Sequence, residues 1–479
     1  MESQGGPEDT ICAVATPSGE GGIGIVRISG PDAILFAERI VRMRGRRSLG
    51  SIPSHTVHLV DILPPSAVVQ DPTPHVTALE RIDEALLVVM RAPRSFTGED
   101  VVEIQAHSGG LVLAKIYESC LRSGCRAARP GEFTKRAFLN GRMDLSQAEA
   151  ILDTIKATST QGLAAAQQHL QGSLRREVTR LRSQLLTLLA HLEAGIDFVE
   201  EDIEFVDRTE MLRVLSETMR IVRAALESSR TGRILREGAR VVIVGRPNVG
   251  KSSLLNRLLG ESRSIVTNIP GTTRDAIEES CRINGRTISL TDTAGLRETN
   301  DQVEQEGIAR TMHAMSQADL LILVMDGADP AVHDPSTFGM NQMQKTALVV
   351  VNKVDLLSPI EIQGICEKVG RLTSSTPLPI STMTGAGLDS LRTAIISQLG
   401  LSQLEPSPTM LITNVRHQHA LERCFDYLSR ASESIESAAY PECVAVDLRG
   451  AADELGEITG AITTDEILNQ IFSEFCIGK

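Results

Sequence analysis

The sequence predicts a multidomain chain of mixed class: an α+β segment, then an α/β domain with helical segments on both sides of it. Three observations carry that reading. Residues 237–400 alternate apolar strand-like runs with helical stretches, the order that builds a doubly wound sheet. Leu174, Val178, Leu181, Leu185, Leu188 and Leu192 recur at spacings of three and four, the stripe of an amphipathic helix in a bundle core. Residues from about 10 to 130 carry shorter strand-like runs, at 22–28, 84–90 and 101–105, with Pro64, Pro65, Pro72 and Pro74 marking a loop among them.

In chain order, residues 1–143 read as an N-terminal α+β domain and 144–236 as a first helical part. Residues 237–400 read as the α/β domain, and 401–479 as a second helical part reaching Phe475. The two helical parts most simply form one bundle. The α/β domain is then an insertion in it, entering near Leu235-Arg-Glu-Gly238 and leaving near Gly400. A chain of 479 residues has room for about three such domains.

Chemistry is concentrated in the α/β part. Gly245-Arg-Pro-Asn-Val-Gly-Lys251-Ser252 fits the phosphate-loop pattern G-x-x-x-x-G-K-[S/T], between the apolar run Val241 to Val244 and a helix-like stretch from Ser252. In that context Asn248, Val249, Gly250, Lys251, Ser252 and Ser253 wrap the phosphates with backbone N–H groups and a helix N-terminus. Lys251 supplies positive charge, and the Ser252 hydroxyl can ligate Mg²⁺. Asn352-Lys353-Val-Asp355 ends the apolar run Ala347 to Val351 and is the guanine signature. The Asp355 carboxylate can accept from guanine N1–H and the 2-amino group, whereas adenine would leave it desolvated and unpaired. Asp292-Thr293-Ala294-Gly295 matches the third GTPase motif. Asp292 there holds Mg²⁺ through water, and the Gly295 N–H meets the γ-phosphate. Gly271-Thr272-Thr273-Arg-Asp275 supplies a switch threonine, Thr273, to Mg²⁺. Ile380-Ser-Thr382 stands at the fifth motif without its usual Ser-Ala. The four motifs other than this fifth one, in order along the chain, predict a Ras-like G domain. Leu296 occupies the position of the water-orienting glutamine of small GTPases and cannot act as one. Glu304, with Glu298 and Glu306 as rivals, is a candidate for that role or a solvated helix-surface charge.

Composition excludes several classes. No apolar run approaches the ~18 residues of a membrane span, and the acidic start Met1-Glu-Ser-Gln is no signal peptide. Eight cysteines without a C-x-x-C pair suit reduced thiols in the cytoplasm. A net charge of -13 disfavours general nucleic-acid adhesion, and absence of Trp disfavours base-stacking platforms. Arg175, Arg176, Arg180 and Arg182 make a local basic segment that fits a solvated helix face.

With these motifs in view, the chain resembles the MnmE (TrmE) family of tRNA modification GTPases from end to end. The resemblance rests also on Ala15-Thr-Pro-Ser-Gly-Glu-Gly-Gly-Ile-Gly-Ile-Val-Arg27-Ile-Ser-Gly30 and Ser95-Phe-Thr-Gly-Glu-Asp-Val-Val-Glu103. It extends through Ala128-Arg-Pro-Gly-Glu-Phe-Thr-Lys-Arg-Ala-Phe-Leu-Asn-Gly-Arg142-Met-Asp-Leu145 to the tail Phe475-Cys476-Ile-Gly-Lys479. Gly478 and Lys479 suit a prenylation signal badly.

The resemblance implies a tetrahydrofolate-binding N-terminal domain that drives homodimerisation, and no membrane association. It implies a flavin-dependent partner, MnmG (GidA), in a heterotetramer. The shared work is addition of an aminomethyl or carboxymethylaminomethyl group at C5 of the wobble uridine of certain tRNAs. The added carbon comes from a folate, 5-formyltetrahydrofolate or 5,10-methylenetetrahydrofolate. The family places its potassium ligand at Asn248, with Thr267, Ile269 and Thr272 of the segment Thr267-Asn268-Ile269-Pro270-Gly271-Thr272 completing the K⁺ site. It lifts Glu304 above its rivals as the water-orienting catalytic residue beside Lys251. Its folate contacts fall on Arg27, Glu103, Arg142 and Lys479. Arg142 is lysine in some relatives, which keeps the charge and alters the geometry. Cys476 either serves chemistry at the tail or is a packed small residue. A rival class is a GTP-dependent RNA or ribosome assembly switch that performs no base chemistry. The folate-type N-terminus and the Cys-Ile-Gly-Lys tail favour the modifying enzyme.

Overall fold

The computed structural model describes residues 9–17, 19–44, 48–64, 81–157, 159–197, 207–260, 278–292, 312–329, 347–373, 375–401 and 410–479. They form two compact units. One comprises residues 1–152, 170–179 and 455–479, the other 153–169 and 180–454.

The first unit is built on a seven-stranded sheet. Its strands are β1 (Ile11–Val14), β2 (Gly21–Ser29), β3 (Val41–Met43), β4 (Thr56–Ile62), β5 (Asp83–Met90), β6 (Val101–Ser108) and β7 (Arg126–Ala127), in the order β3-β4-β5-β6-β2-β1-β7. Three of these match the strand-like runs in the sequence; the others are shorter or less apolar. Period-two alternation sends Val60, Ile62, Leu87, Val89, Ile104, Val26 and Ile28 to one face. There they form a core with Ile116 and Cys120 of the Gly110–Ser123 helix and Ala33 and Ala37 of a short helix. The opposite face carries the row Val57, Val88, Glu103, Arg27 and Ala13, one residue per strand from β4 to β1. The helix Glu132–Leu139 seals part of that face with Phe133, which is fully buried against Ile11 and Ala13. The last helix, Asp465–Ser473, is capped by the Thr464 side chain and buries Leu468 and Phe472 on Leu145 and Ala148. This returns the chain end to the N-terminal sheet within one unit.

The second unit contains a six-stranded sheet and long helices. The strands β8 (Ala239–Val244), β9 (Glu278–Ile283), β10 (Arg286–Asp292), β11 (Leu320–Asp326), β12 (Ala347–Asn352) and β13 (Leu378–Pro379) lie in the order β13-β12-β11-β8-β10-β9. Only β9 is antiparallel to its neighbour. Alternate residues of β8 feed two cores: Val241 and Ile243 pack with Leu254, Leu258, Leu391 and Ile395, while Val242 and Val244 pack with Met315 and Val369. Both faces are therefore covered by helices, as a doubly wound sheet requires. Connections from β8 diverge to β10 and β11 on either side, so the switch point of the sheet lies at the C-terminal end of β8.

Helices Arg208–Glu237 and Val415–Glu436 pack together. Their tie points are the Arg208 guanidinium on the Glu436 carbonyl, 2.6 Å, and Arg223 over the Phe425 ring, 5.1 Å from its centroid. Arg182 donates to the Ala452 carbonyl at 3.1 Å, and Arg449 pairs with Glu193, so helices before and after the six-stranded sheet share a bundle. In the stripe predicted from the sequence, Leu174 to Leu188 are buried, while Leu192 is half-buried.

Candidate active site

At the switch point, β8 passes through the loop 245–250 into the helix Lys251–Gly260. Gly245 and Gly250 have φ of +156° and +98°, and Asn248 has φ +63°. A Cβ on Gly245 would lie 2.4 Å from the Val324 carbonyl, and one on Gly250 would lie 2.2 Å from the Asn352 amide nitrogen. Only glycine lets the loop close this tightly on β11 and on the guanine motif. Lys251 is 6% exposed, and its ammonium donates to the Arg246 carbonyl at 2.8 Å across its own loop. The Ser252 hydroxyl donates to Asp292 Oδ2 at 2.6 Å. Asp292 closes β10 and is 8% exposed, while Ser252 is exposed, so the first and third motifs meet at one part-buried hydroxyl–carboxylate contact. A hydroxyl and a carboxylate are the hard oxygen donors that Mg²⁺ takes beside phosphates, so the residues fit that ion.

The guanine motif is fastened to this loop. Asn352 is fully buried. Its side-chain NH₂ donates to the Val249 carbonyl at 2.8 Å, and its Oδ1 accepts the Thr382 N–H at 3.1 Å. One amide thus locks the phosphate loop, the end of β12 and the fifth-motif loop together. Asp355 accepts a hydrogen bond from the Ser381 hydroxyl at 2.5 Å, and the same hydroxyl accepts the Thr384 N–H at 3.1 Å. Ser381 aims the carboxylate even though this segment lacks the usual Ser-Ala pair. Lys353 stands at φ +63° and pairs with Asp326, the last residue of β11, at 2.6 Å. Asp326 escaped sequence reasoning, although a carboxylate closing an otherwise apolar strand was the signal. Asn248 is exposed at the loop tip. Residues 267–273, 293–295, 298, 304 and 306 lie outside the described residues, so the switch threonine Thr273, the K⁺ candidates Thr267, Ile269 and Thr272, and Glu304 with its rivals have no structural account here. Among the described residues, no cluster of three or more His, Cys, Asp or Glu side chains could hold a metal.

A second constellation sits in the N-terminal unit. Arg27 and Glu103 are register partners on β2 and β6 and form an ion pair, with Nε to Oε1 at 2.9 Å and Nη2 to Oε1 at 2.8 Å. The Arg27 guanidinium lies 5.6 Å from the ring centroids of both Phe96 and Phe133, and its Nη1 donates to the Gly478 carbonyl at 3.3 Å. The chain end therefore touches the pair. Phe475 anchors that tail, 4% exposed and 5.6 Å from Phe472 between ring centroids. Lys479 N–H turns back to the Cys476 carbonyl at 3.3 Å. Cys476 is exposed, as only Cys443 is among the other seven cysteines. Arg142 is brought near the loop 95–100 that precedes β6, where a Cβ on Gly98 would meet its Cγ at 3.2 Å. Partly exposed charges of both signs beside aromatic rings suit a ligand with carboxylates and a polar ring, so the residues fit a folate.

Beside this, Arg126 and Arg136 bind Asp9, Glu99 and Glu132 in one ionic network. Burial alone would raise the Glu132 carboxyl. Hydrogen bonds from the Arg126 side chain and the Arg129 backbone N–H nevertheless hold it below the usual range. Asp9 is likewise held down against burial by Arg126 and Arg136.

A family model described as "GTP-binding protein TrmE N-terminus" matches residues 10–142, and one described as "MnmE helical domain" matches residues 145–476. A protein of Symbiobacterium thermophilum named tRNA modification GTPase MnmE is 47% identical, covering 98% of this chain and 100% of its own length. One of the same name from Heliobacterium modesticaldum is 45% identical over 98% of this chain and 99% of its own. A solved structure of Aquifex aeolicus Era bound to GDP and AlF₄⁻ is 28% identical, covering 39% of this chain and 66% of that chain at a TM-score of 0.28.

Proposed function

The chain belongs to the tRNA modification GTPase MnmE family, and from that premise we propose that it is a potassium-activated GTP hydrolase of wobble-uridine modification. It works with a flavin-dependent MnmG-type partner. Together they add an aminomethyl or carboxymethylaminomethyl group at uridine C5, with the carbon drawn from a folate. The observation that carries the hydrolase reading is the Ser252–Asp292 contact beside the buried Asn352 bridge, which gathers candidate phosphate, Mg²⁺ and base determinants at the C-terminal ends of β10 and β12.

Within that reading, Lys251 and the loop N–H groups bind the β- and γ-phosphates, and Ser252 with Thr273 holds Mg²⁺. Asp355 selects guanine. Bound cations supply the charge neutralisation that an arginine finger gives elsewhere. Asn248 offers an exposed amide oxygen on a strained turn for the K⁺. Glu304 orients water. The G domain, residues 237–400, is an insertion in the helical bundle.

In the N-terminal unit, Arg27, Glu103, Arg142 and Lys479 bind the folate, with Glu103 accepting from its pterin donors. Homodimerisation has a ready surface. Val57, Leu59 and Leu86 are 59%, 40% and 40% exposed on the sheet face that bears Arg27 and Glu103, and Leu59 pairs with Leu86 across strands. A dimer closed there would put the folate site beside its interface.

The test is nucleoside analysis of tRNA from a deletion strain complemented with this chain, alongside GTP turnover in K⁺ and in Na⁺. Restored wobble modification and faster turnover in K⁺ are expected. GTP turnover without any change in tRNA nucleosides would favour an assembly switch instead.

A further inference from the structure

We propose that Asp326 is a positioning residue for nucleotide affinity: it holds Lys353 in the orientation that receives the guanine. The inference rests on the guanine-nucleotide reading of this site and assigns a role to a residue outside its motifs.

Asp326 is the last residue of β11 and lies directly across from Asn352, the last residue of β12, in the parallel ladder. Its two carboxylate oxygens have separate tasks. Oδ1 accepts the Ala328 N–H at 2.9 Å, a turn closed two residues on that fixes the carboxylate plane. Oδ2 accepts the Lys353 ammonium at 2.6 Å. The pair is partly shielded, with side chains 14% exposed at Asp326 and 33% at Lys353. The neighbouring backbone is fixed as well. Gly327 donates to the Asn352 carbonyl at 2.8 Å, and a Cβ there would meet that carbonyl and Leu357 Cδ1 at 3.0 Å.

Lysine carries four flexible bonds, and ordering such a chain on binding costs affinity. Here the ordering is done before any ligand arrives. The ammonium is tethered at its far end, and the backbone is held at φ +63° at its near end. The aliphatic stem between these two fixed points is one residue from Asn352 and two from Asp355. It is thus a prepared apolar wall for a base whose edge Asp355 reads. Freeing the ammonium would return that cost to the binding step, for GDP as much as for GTP. The chemical step would be left alone, since Lys353 contacts no transferring group.

Asp326→Asn is the discriminating variant, because its side-chain oxygen can still accept from Ala328 while the charge pair is lost. With the full-length protein, fluorescent GDP and GTP titrations and steady-state turnover give the readout. Expected are Kd and KM raised about tenfold for both nucleotides, with kcat and the thermal midpoint retained. Asp326→Glu, which keeps the charge, should recover most of the affinity. Lys353→Met combined with Asp326→Asn should lose no more than Lys353→Met alone. Wild-type affinity in Asp326→Asn, a fall in kcat at unchanged KM, or additive losses in the double variant would overturn the proposal while leaving the site intact. Failure of the wild type to bind GDP or GTP would overturn the site reading and this inference with it.

Discussion

Replacing Gly478 by alanine is the sharpest probe of the tail. Gly478 stands at φ +96°, and an added Cβ would lie 2.4 Å from the Val14 carbonyl oxygen and 2.8 Å from Ala15 Cα. Both are backbone atoms of the N-terminal sheet region, so neither can swing aside. The positive φ costs a substituted residue about 1–3 kcal/mol, and the overlap about 1–3 kcal/mol more. Against this, the described contact holding Gly478 is one guanidinium hydrogen bond at 3.3 Å from Arg27, worth about 1.5 kcal/mol at that length. The tail should therefore leave its seat while Phe475, buried on Leu145 and Phe472, stays in place. If Lys479 serves the folate site, Gly478→Ala should abolish 5-formyltetrahydrofolate binding by calorimetry and wobble modification by nucleoside analysis. GTP hydrolysis should persist, and the thermal midpoint should move by no more than a degree or two. Ile477→Ala is the control, since Ile477 is 60% exposed and should tolerate the change. Wild-type folate affinity in Gly478→Ala, with a wild-type protein that binds folate, would refute the reasoning.

Asp355→Asn should weaken GTP by about 1.5–3 kcal/mol, through loss of a charge-assisted contact, and improve xanthine nucleotides; equal binding of ATP and GTP by the wild type would sink that assignment. Asn248→Ala should erase the advantage of K⁺ over Na⁺ in turnover and leave nucleotide affinity near wild type; equal rates in the two salts before mutation would count against a potassium site. Leu86→Arg should shift the protein toward monomer in sedimentation, because it puts a charge into the exposed apolar patch with Leu59; an unchanged dimer would place the interface elsewhere. Glu132 has a lowered folded pKa, so its stabilisation is present above the unfolded value and is lost as pH falls through the folded one. The gap in thermal midpoint between wild type and Glu132→Gln should accordingly narrow on acidification below about pH 4.5; a gap constant with pH would mean the network does not titrate this way.

The G domain was the most legible part of the chain, for a physical reason. A phosphate loop must close tightly, so Gly245 and Gly250 sit where a Cβ would strike Val324 and Asn352, and that demand is local enough to be written as a short motif. The proposal for Asp355 was drawn from the same kind of local demand, because base selection needs one carboxylate at one strand end. The groups that aim these residues were not legible. Ser381 orients Asp355 from 26 positions away, and Asp326 tethers Lys353 from 27 positions away. Neither spacing has a period, so only the ladder of β11, β12 and β13 makes them neighbours. The N-terminal site shows the same limit more strongly. Arg27 and Glu103 become register partners only because β2 lies beside β6 in a sheet whose strands are not in chain order. Gly478 reaches Arg27 across 451 positions only because the Asp465–Ser473 helix buries Leu468 and Phe472 on Leu145 and Ala148. No hydropathy pattern encodes that return; the resemblance to known relatives suggested it, and packing of the last helix supplies the cause. The same packing makes the tail easy to displace without unfolding anything. Beyond Phe475 the described holds are a hydrogen bond to Gly478 and a turn at Lys479, so the proposed folate site and the chain end should open and close together while the G domain keeps turning over.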